Sequence, residues 1–422
     1  MKELVRMKIT YITLIGLFVF GLNAISCSKD DEPTEKKEEK FTLEKYAPEE
    51  VSKTNTTKVY MHFMPWFETK ETSDNGNWGI HWTMATKNPD NINSNGKREI
   101  ASHFYPLTGP YASGDPVILE YQLLLMKYAG IDGIFIDWYG SSDINDYALI
   151  QKNTQTLIDQ LDEVGMNFAI VYEDRTISEA VSKNASFDRI AGAQNDMIFL
   201  KQNYFKNNHY IKIDGQPLLL NFGPIEFHNE SEWVQIMSVF STPPIFLVLN
   251  GKSAEAGNTS SGEYIWVDQT SLDSKYASMD QFDYFIGGAY SGFKDFYGLG
   301  GWGESFSLEI DHQDGKTLRD NLAKAKTAHV NMVQLITWND YGEGTMIEPT
   351  EELGFKPLNE VQNFTGITYN QPELESIFNL YQARIKYKDN SEIQLMLDQV
   401  FYDFVSLKVD DAKALLESIN KQ

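Results

Sequence analysis

From Thr57 onward, short apolar runs alternate with segments whose apolar positions recur every three or four residues. The runs occupy 59–63, 131–137, 168–172, 217–222, 245–249, 264–267, 282–286 and 330–338. Continuous apolar, β-branched runs fit strands buried on both faces. Between them, 116–129 carries Ile118, Leu119, Leu123 and Met126 at helical spacing and closes at Gly130; 145–164 closes at Gly165, and 316–327 feeds the last run. Strands alternating with helices predict a parallel sheet with covered faces, and eight of them predict a closed (β/α)8 TIM barrel. A doubly wound open sheet is the alternative, but no Gly-rich phosphate loop follows the first run. The stretch 63–111 and the link between the fifth and sixth runs fit the repeat poorly and predict extended loops. Residues 210–215 predict a short hairpin into the fourth strand. The barrel domain is expected over 58–370, and 371–422 is expected as a C-terminal helical extension packed on it.

The N-terminus changes the picture of where the domain sits. Lys2, Arg6 and Lys8 precede an apolar stretch over 11–22 and small residues before Cys27, the single cysteine of the chain. By composition this is a secretion leader, too short for a comfortable membrane span. The residues around Cys27 resemble the lipobox of bacterial lipoproteins. That resemblance implies a lipoprotein signal over 1–27 cleaved before Cys27, with a lipid anchor on the Cys27 thiol; SKDDE (28–32) resembles the acidic surface-export signal of Bacteroidetes lipoproteins, which implies an outer-membrane, surface-exposed protein. Residues 28–57, with DDEPTEKKEEK near their start, are expected as a disordered acidic tether. The formal net charge of −24 argues against nucleic acid as a partner, because phosphate backbones need clustered Lys and Arg. A monomer is expected.

Candidate chemistry gathers where the runs end, which in a barrel is the active-site rim. The first run is followed by Trp66, the second by Trp138 and Tyr139, the third by Glu173, Asp174 and Arg175, and the sixth by Asp268. Tyr290 follows the seventh. The eighth changes polarity at once into Trp338, Asn339, Asp340, Tyr341, Gly342, Glu343 and Gly344. Aromatic faces stack on sugar rings while carboxylates bond to hydroxyls, so a carbohydrate substrate is expected. Two carboxyls three residues apart beside aromatics suit glycosidic cleavage. Taken alone, Asp340 is equally a turn cap, Trp138 a core residue, and Glu173 with Arg175 a structural ion pair.

The segments MHFMPWF (61–67), WGIHW (78–82), IASHFYPLTGPYASGDP (100–116), AGIDGIFIDWYG (129–140) and TWNDYGEGTMIEP (337–349) resemble the glycoside hydrolase family 71/99-like proteins. These comprise the endo-α-mannosidase and endo-α-mannanase family 99 and the α-1,3-glucanase family 71. The resemblance runs from about residue 58 to 365. It implies a (β/α)8 barrel, cleavage of internal α-glycosidic bonds of α-mannan or α-1,3-glucan type, and no metal or other cofactor. By motif, Asp340 and Glu343 fall on the catalytic carboxyls, and Trp138 with Tyr139 fall on a sugar-binding segment. The chain departs from the mannan-cleaving family, which has Glu at the position of Asp340 and Trp-His in place of Tyr341-Gly342.

Glu343 is assigned as acid and Asp340 as base, with Trp66, Trp138, Tyr139, Glu173, Tyr290, Trp338 and Tyr341 as substrate contacts. The base acts on water, or on the substrate's own 2-hydroxyl as the mannan family is understood to do. A non-catalytic surface glycan-binding lipoprotein is the competing reading. A metal-dependent deacetylase or lyase is disfavoured, because the seven histidines show no metal-like pair spacing.

Overall fold

The computed structural model describes residues 41–268 and 270–421. The expected leader, Cys27 and the first part of the expected tether lie outside the described residues.

Strand β1 (Lys58–Phe63) pairs in parallel with β2 (Gly133–Trp138) on one side and β8 (Met332–Ile336) on the other. From β2 the sheet continues through β3 (Asn167–Tyr172), β4 (Gln216–Asn221), β5 (Ile245–Leu249), β6 (Gly262–Tyr264) and β7 (Tyr284–Tyr290) to β8, every neighbour parallel. The β3–β4 pairing, Ile170 opposite Leu219, closes the ring and excludes the open sheet. The result is a (β/α)8 barrel. Lys212–Ile213 adds the expected hairpin against Gln216 and Pro217, turning through Asp214 (φ 50°) and Gly215 (φ 81°).

The principal crossover helices follow from their caps as well as their apolar faces. Helix α1 (Pro116–Lys127) starts with Asp115 accepting from Val117 N at 2.9 Å and Pro116 in the first turn. Helix α2 (Tyr147–Val164) ends on left-handed Gly165 (φ 71°). Helices α3 (Thr176–Lys183), α4 (Arg189–Asn203), α5 (Glu230–Met237) and α6 (Leu272–Tyr276) follow, and α7 (Lys316–Thr327) precedes β8.

Strand boundaries differ from the sequence pattern at the last three runs, the seventh of which ends at Ile286 while its strand reaches Tyr290. The sixth run begins at Tyr264, but the ladder spans Gly262–Tyr264; Ile265 N still donates to Ile286 O at 3.0 Å, after which Trp266 and Val267 leave the sheet. β8 stops at Ile336 because Thr337 N turns to Thr345 O (3.1 Å) and Trp338 N to His62 O (2.7 Å).

After α8 (Lys356–Thr365), the C-terminal extension is three helices, α9 (Gln371–Lys386), α10 (Ser391–Val405) and α11 (Val409–Asn420). It docks on α1 through Tyr121 and Tyr381, ring centroids 5.2 Å apart, and through buried Arg384, which bonds Glu120 and Asp398. The expected tether differs from residue 41 on. Glu49 N donates to Val405 O (2.9 Å), Glu44 N to Gln399 Oε1 (2.7 Å), and Val51 is buried. Buried Val51 and scattered hydrogen bonds from Glu44, Glu49, Thr54 and Asn55 strap this polar segment to the helices.

Candidate active site

A cavity of about 1020 Å³ opens at the C-terminal ends of the strands. Its walls come from the ends of β1, β2, β3 and β4, the loops after β6 and β7, and the turn after β8. That turn is built tightly. Asn339 clamps it to the end of β1, its Oδ1 accepting from Met64 N and its Nδ2 donating to Met64 O, both at 2.9 Å. Asp340 N donates to Thr337 Oγ1 at 2.8 Å. Gly344 has φ 65°, and a Cβ there would lie 2.6 Å from Lys294 O, so the left-handed turn and the close backbone both require glycine. The close approach is to the loop after β7, whose Lys294 N and Phe296 N donate to Glu343 O and Gly342 O at 2.8 Å.

Asp340 does cap its turn: Oδ1 accepts from Glu343 N at 2.8 Å. It also lines the cavity, 3% exposed, together with half-buried Glu343. Tyr297 OH donates to Glu343 Oε1 at 3.2 Å. Burial pushes the Asp340 carboxyl up to about 7, against the lowering effect of backbone N–H groups from Glu343 and Gly342. Glu343 is held well above the usual carboxylate range, by burial first and then by the neighbouring Asp340 charge. The two neighbouring acids therefore titrate as a pair, both held above the ordinary carboxylate range.

Facing this turn stands a second acidic pair. Glu173 is ion-paired with Arg175, whose guanidinium lies 4.9 Å from the centroid of the Tyr139 ring. Asp137 lines the floor beside it, 1% exposed. Burial followed by the Glu173 charge raises Asp137 well above its ordinary value, and burial raises Glu173 against the pull of Arg175. Among the described residues no group of three or more His, Cys, Asp or Glu is placed to hold a metal ion.

Of the residues singled out from the sequence, Asp340, Glu343, Trp66, Tyr139 and Glu173 meet at this cavity. Trp66 presents less than a free face, because His81 stacks on it at 4.2 Å with the planes 4° apart. Four others lie elsewhere. Trp138 is fully buried against Phe199 (5.6 Å, 21°), on the helix side of β2. Trp338 is fully buried in the core. Tyr341 points behind the turn, 5.4 Å from the Trp82 ring, with its OH on Glu348 Oε2 at 2.9 Å. Tyr290 packs with Val267, Phe293 and Ile336. Each is an aromatic at or just beyond a strand end, but its side chain falls on the face packed against neighbouring structure. Asp268 pairs with Lys275 at 2.8 Å and is not among the cavity residues.

The sequence reading passed over His62, His81, Trp266, Tyr297 and Trp302, all of which line the cavity. His62 carried a signal, a polar residue inside an apolar run. Tyr297 and Trp302 sit in a loop with no periodic pattern. Trp302 is 41% exposed beside His81 and Tyr297, an aromatic lip at the entrance.

Residues 58–190 match the model of glycosyl hydrolase family 99. Among solved structures, a family 99 endo-α-mannosidase from Bacteroides thetaiotaomicron is similar with a TM-score of 0.58 and 17% identity, over 76% of this chain and 98% of that one. A complex of such an enzyme from the same organism with bis-tris-propane gives 0.56 and 16%, over 77% and 98%. A glycoside hydrolase-like protein gives 0.53 and 12%, over 78% and 98%. A comparison with curated protein sequences finds no match. These likenesses carry the barrel fold along nearly the whole of each neighbour.

Proposed function

We propose that this chain, a family-99-like glycoside hydrolase, cleaves internal α-glycosidic bonds of a glycan of α-mannan or α-1,3-glucan type, with Glu343 as proton donor and Asp340 as base. The observation that carries the assignment is that Asp340 and Glu343 line one cavity wall from a single turn, with Tyr297 OH on Glu343 Oε1 and Glu343 N on Asp340 Oδ1. Burial holds Glu343 well above the usual carboxylate range, as a proton donor requires, while backbone N–H groups favour the ionised form of Asp340. Glu343 gives its proton to the leaving oxygen. Asp340 takes one from water, or from the substrate's 2-hydroxyl. Tyr297 orients Glu343, and Trp66, Tyr139, Glu173 and Trp302 are the contacts offered to the sugar. Internal cleavage is in keeping with the similar barrels from Bacteroides thetaiotaomicron, which are endo-α-mannosidases.

A digest of an α-glycan panel, with product anomers followed by proton NMR, tests this. Oligosaccharide products from α-mannan or α-1,3-glucan are expected; retained anomers report the 2-hydroxyl route and inverted ones the water route. Binding without turnover on every α-glycan would favour the non-catalytic glycan-binding reading, which the Asp340 departure motivates. We further propose lipid anchoring at Cys27 and display at the outer cell surface, from the leader, the lone cysteine and the acidic stretch after it. Cys27→Ala is expected to take up no fatty-acid label and to leave the membrane fraction; retention there overturns the anchor.

A further inference from the structure

Trp302 is the large ring that the fold leaves out. It lines the cavity at its rim and stays exposed, and among the described residues its indole N–H has no hydrogen-bond partner. A lone exposed ring would need no explanation, but this one continues an aromatic wall. The Tyr297 ring lies nearly parallel to it, centroids 6.4 Å apart and planes at 18°, and His81 meets it edge-on at 5.7 Å while stacking on Trp66.

The loop that carries Trp302 is firmly held. One helical turn, Tyr297–Gly300, closes on left-handed Gly301 (φ 76°), and Trp302 N donates to Tyr297 O at 3.0 Å. From the neighbouring loop, Ala85 N donates to Gly300 O at 2.8 Å and Thr86 Oγ1 to Leu299 O at 2.7 Å. A Cβ at Gly300 would lie 2.1 Å from Met84 Sδ, so the two loops pack without a gap. The ring is therefore preorganised, and a ligand that covers it has little left to order.

Tyr297 gives this platform its direction. Its OH holds Glu343 Oε1, which leaves Oε2 for the oxygen of the bond to be cleaved. A proton donor stands beside the oxygen that leaves, so the sugar carried off on that oxygen lies along the acid's flank, past Tyr297. Trp302 is the next ring along that flank, farther out by the order of one sugar ring. Inward the cavity is closed instead: Trp266 meets His62 at 4.7 Å and Phe222 at 4.9 Å, and the sugar that keeps the anomeric carbon belongs there, beside Asp340 and Glu173.

We infer that Trp302 is a specificity-determining platform for the sugar on the leaving side of the cleaved bond, taking the C–H face of a pyranose on its ring while the indole N–H donates to a hydroxyl. The inference rests on the hydrolase reading above. It makes the site select for a sugar beyond that bond rather than for any good leaving group.

Paired substrates test it. Tetrasaccharides of α-1,3-glucan and α-mannan leave as sugars, whereas the α-fluorides of the corresponding disaccharides lose a fluoride too small to reach Trp302. In Trp302→Ala, kcat/KM on the tetrasaccharides should fall by about tenfold or more relative to the fluorides, the size of one stacked ring contact. Trp302→Phe, which keeps a ring, should restore most of that ratio. Leu299→Ala, at an exposed apolar residue of the same loop outside the cavity, should leave both substrate classes at the wild-type rate. Equal losses on both classes would make Trp302 a support for Tyr297 and Glu343, and no loss on either would make it an idle surface ring; each overturns the inference and keeps the hydrolase. If Trp302→Ala does not fold, Trp302→Gln decides by the same ratio. Should neither class turn over in the wild type, the hydrolase reading falls, and titration calorimetry with the same tetrasaccharides decides. Binding weakened about tenfold in Trp302→Ala then keeps the sugar platform, and binding that is unchanged, or absent from the wild type, overturns it as well.

Discussion

Glu343 and Glu348 lie five residues apart on one turn, and they face opposite ways. Glu348 is 1% exposed behind the turn and accepts from Tyr111 OH (2.7 Å), Tyr341 OH (2.9 Å) and Gln122 Nε2 (2.7 Å). Glu343 lines the cavity and accepts from Tyr297. Burial raises both carboxyls, yet one is provided for and the other is not. The same contrast recurs across the barrel. Asp174 accepts from the backbone N–H groups of Ile225, Glu226 and Phe227, whereas Asp137 has only another acid, Glu173, for a partner. A buried acid with a full set of donors holds structure; one with a deficit is equipped for a ligand or a proton. Behind Glu343, the satisfied Glu348 ties the turn to Tyr111 and Gln122 and so helps fix the backbone that aims it.

The comparison breaks most decisively at Glu343. Glu343→Gln should keep the fold and sugar binding but lose roughly 10²–10⁴ in rate on glycans with poor leaving groups. An activated aryl glycoside, which needs little protonation, should lose far less. Asp340→Asn should be slow on both, since an amide deprotonates neither water nor a hydroxyl. In the wild type the base must be ionised, so kcat/KM should climb with rising pH through about 7, the value to which burial lifts Asp340. Near-wild-type rates in both variants would reduce Asp340 to the turn cap it also is, and would move attention to Glu173 and Asp137.

That both roles coexist in Asp340 explains what the sequence could tell. The abrupt change from apolar run to acids and glycines after residue 336 was legible, because a buried parallel strand must end where polar groups begin. So were the strand count, the α1, α2 and α7 bounds within a few residues, and the hairpin before β4. Side-chain direction was not. Strands buried on both faces lose the alternation that separates inside from outside, so Trp138 and Trp338 read as cavity walls. Tyr297, Trp302 and His81 come from long loops, where contacts across more than 200 residues decide position and no local pattern records them.

The smallest effect belongs to Glu348, and it sharpens the distinction between scaffold and site. Burial raises its carboxyl from 4.5 to about 7 despite three donors. A carboxyl raised on folding gives stability that is fully present below its ordinary value and is lost as pH climbs through the folded one. The native state should therefore lose on the order of 3 kcal/mol from this group between about pH 4.5 and 7. Glu348→Gln removes the ionisation and nearly keeps the shape. Cavity acids and Asp196, itself raised by burial to about 6, titrate in the same range, so the quantity to measure is the difference between wild type and variant in urea unfolding at about pH 5 and about pH 8. The variant should be the less stable at the lower pH, where the acid is protonated and well placed, and should catch up or overtake at the higher. Its turnover should fall by less than about tenfold, as befits a group that holds the turn without touching the sugar. Parallel stability curves would mean that Glu348 stays ionised in the fold, its three donors outweighing burial. A collapse of turnover as deep as that of Glu343→Gln, with stability unchanged, would erase the division between the two acids altogether.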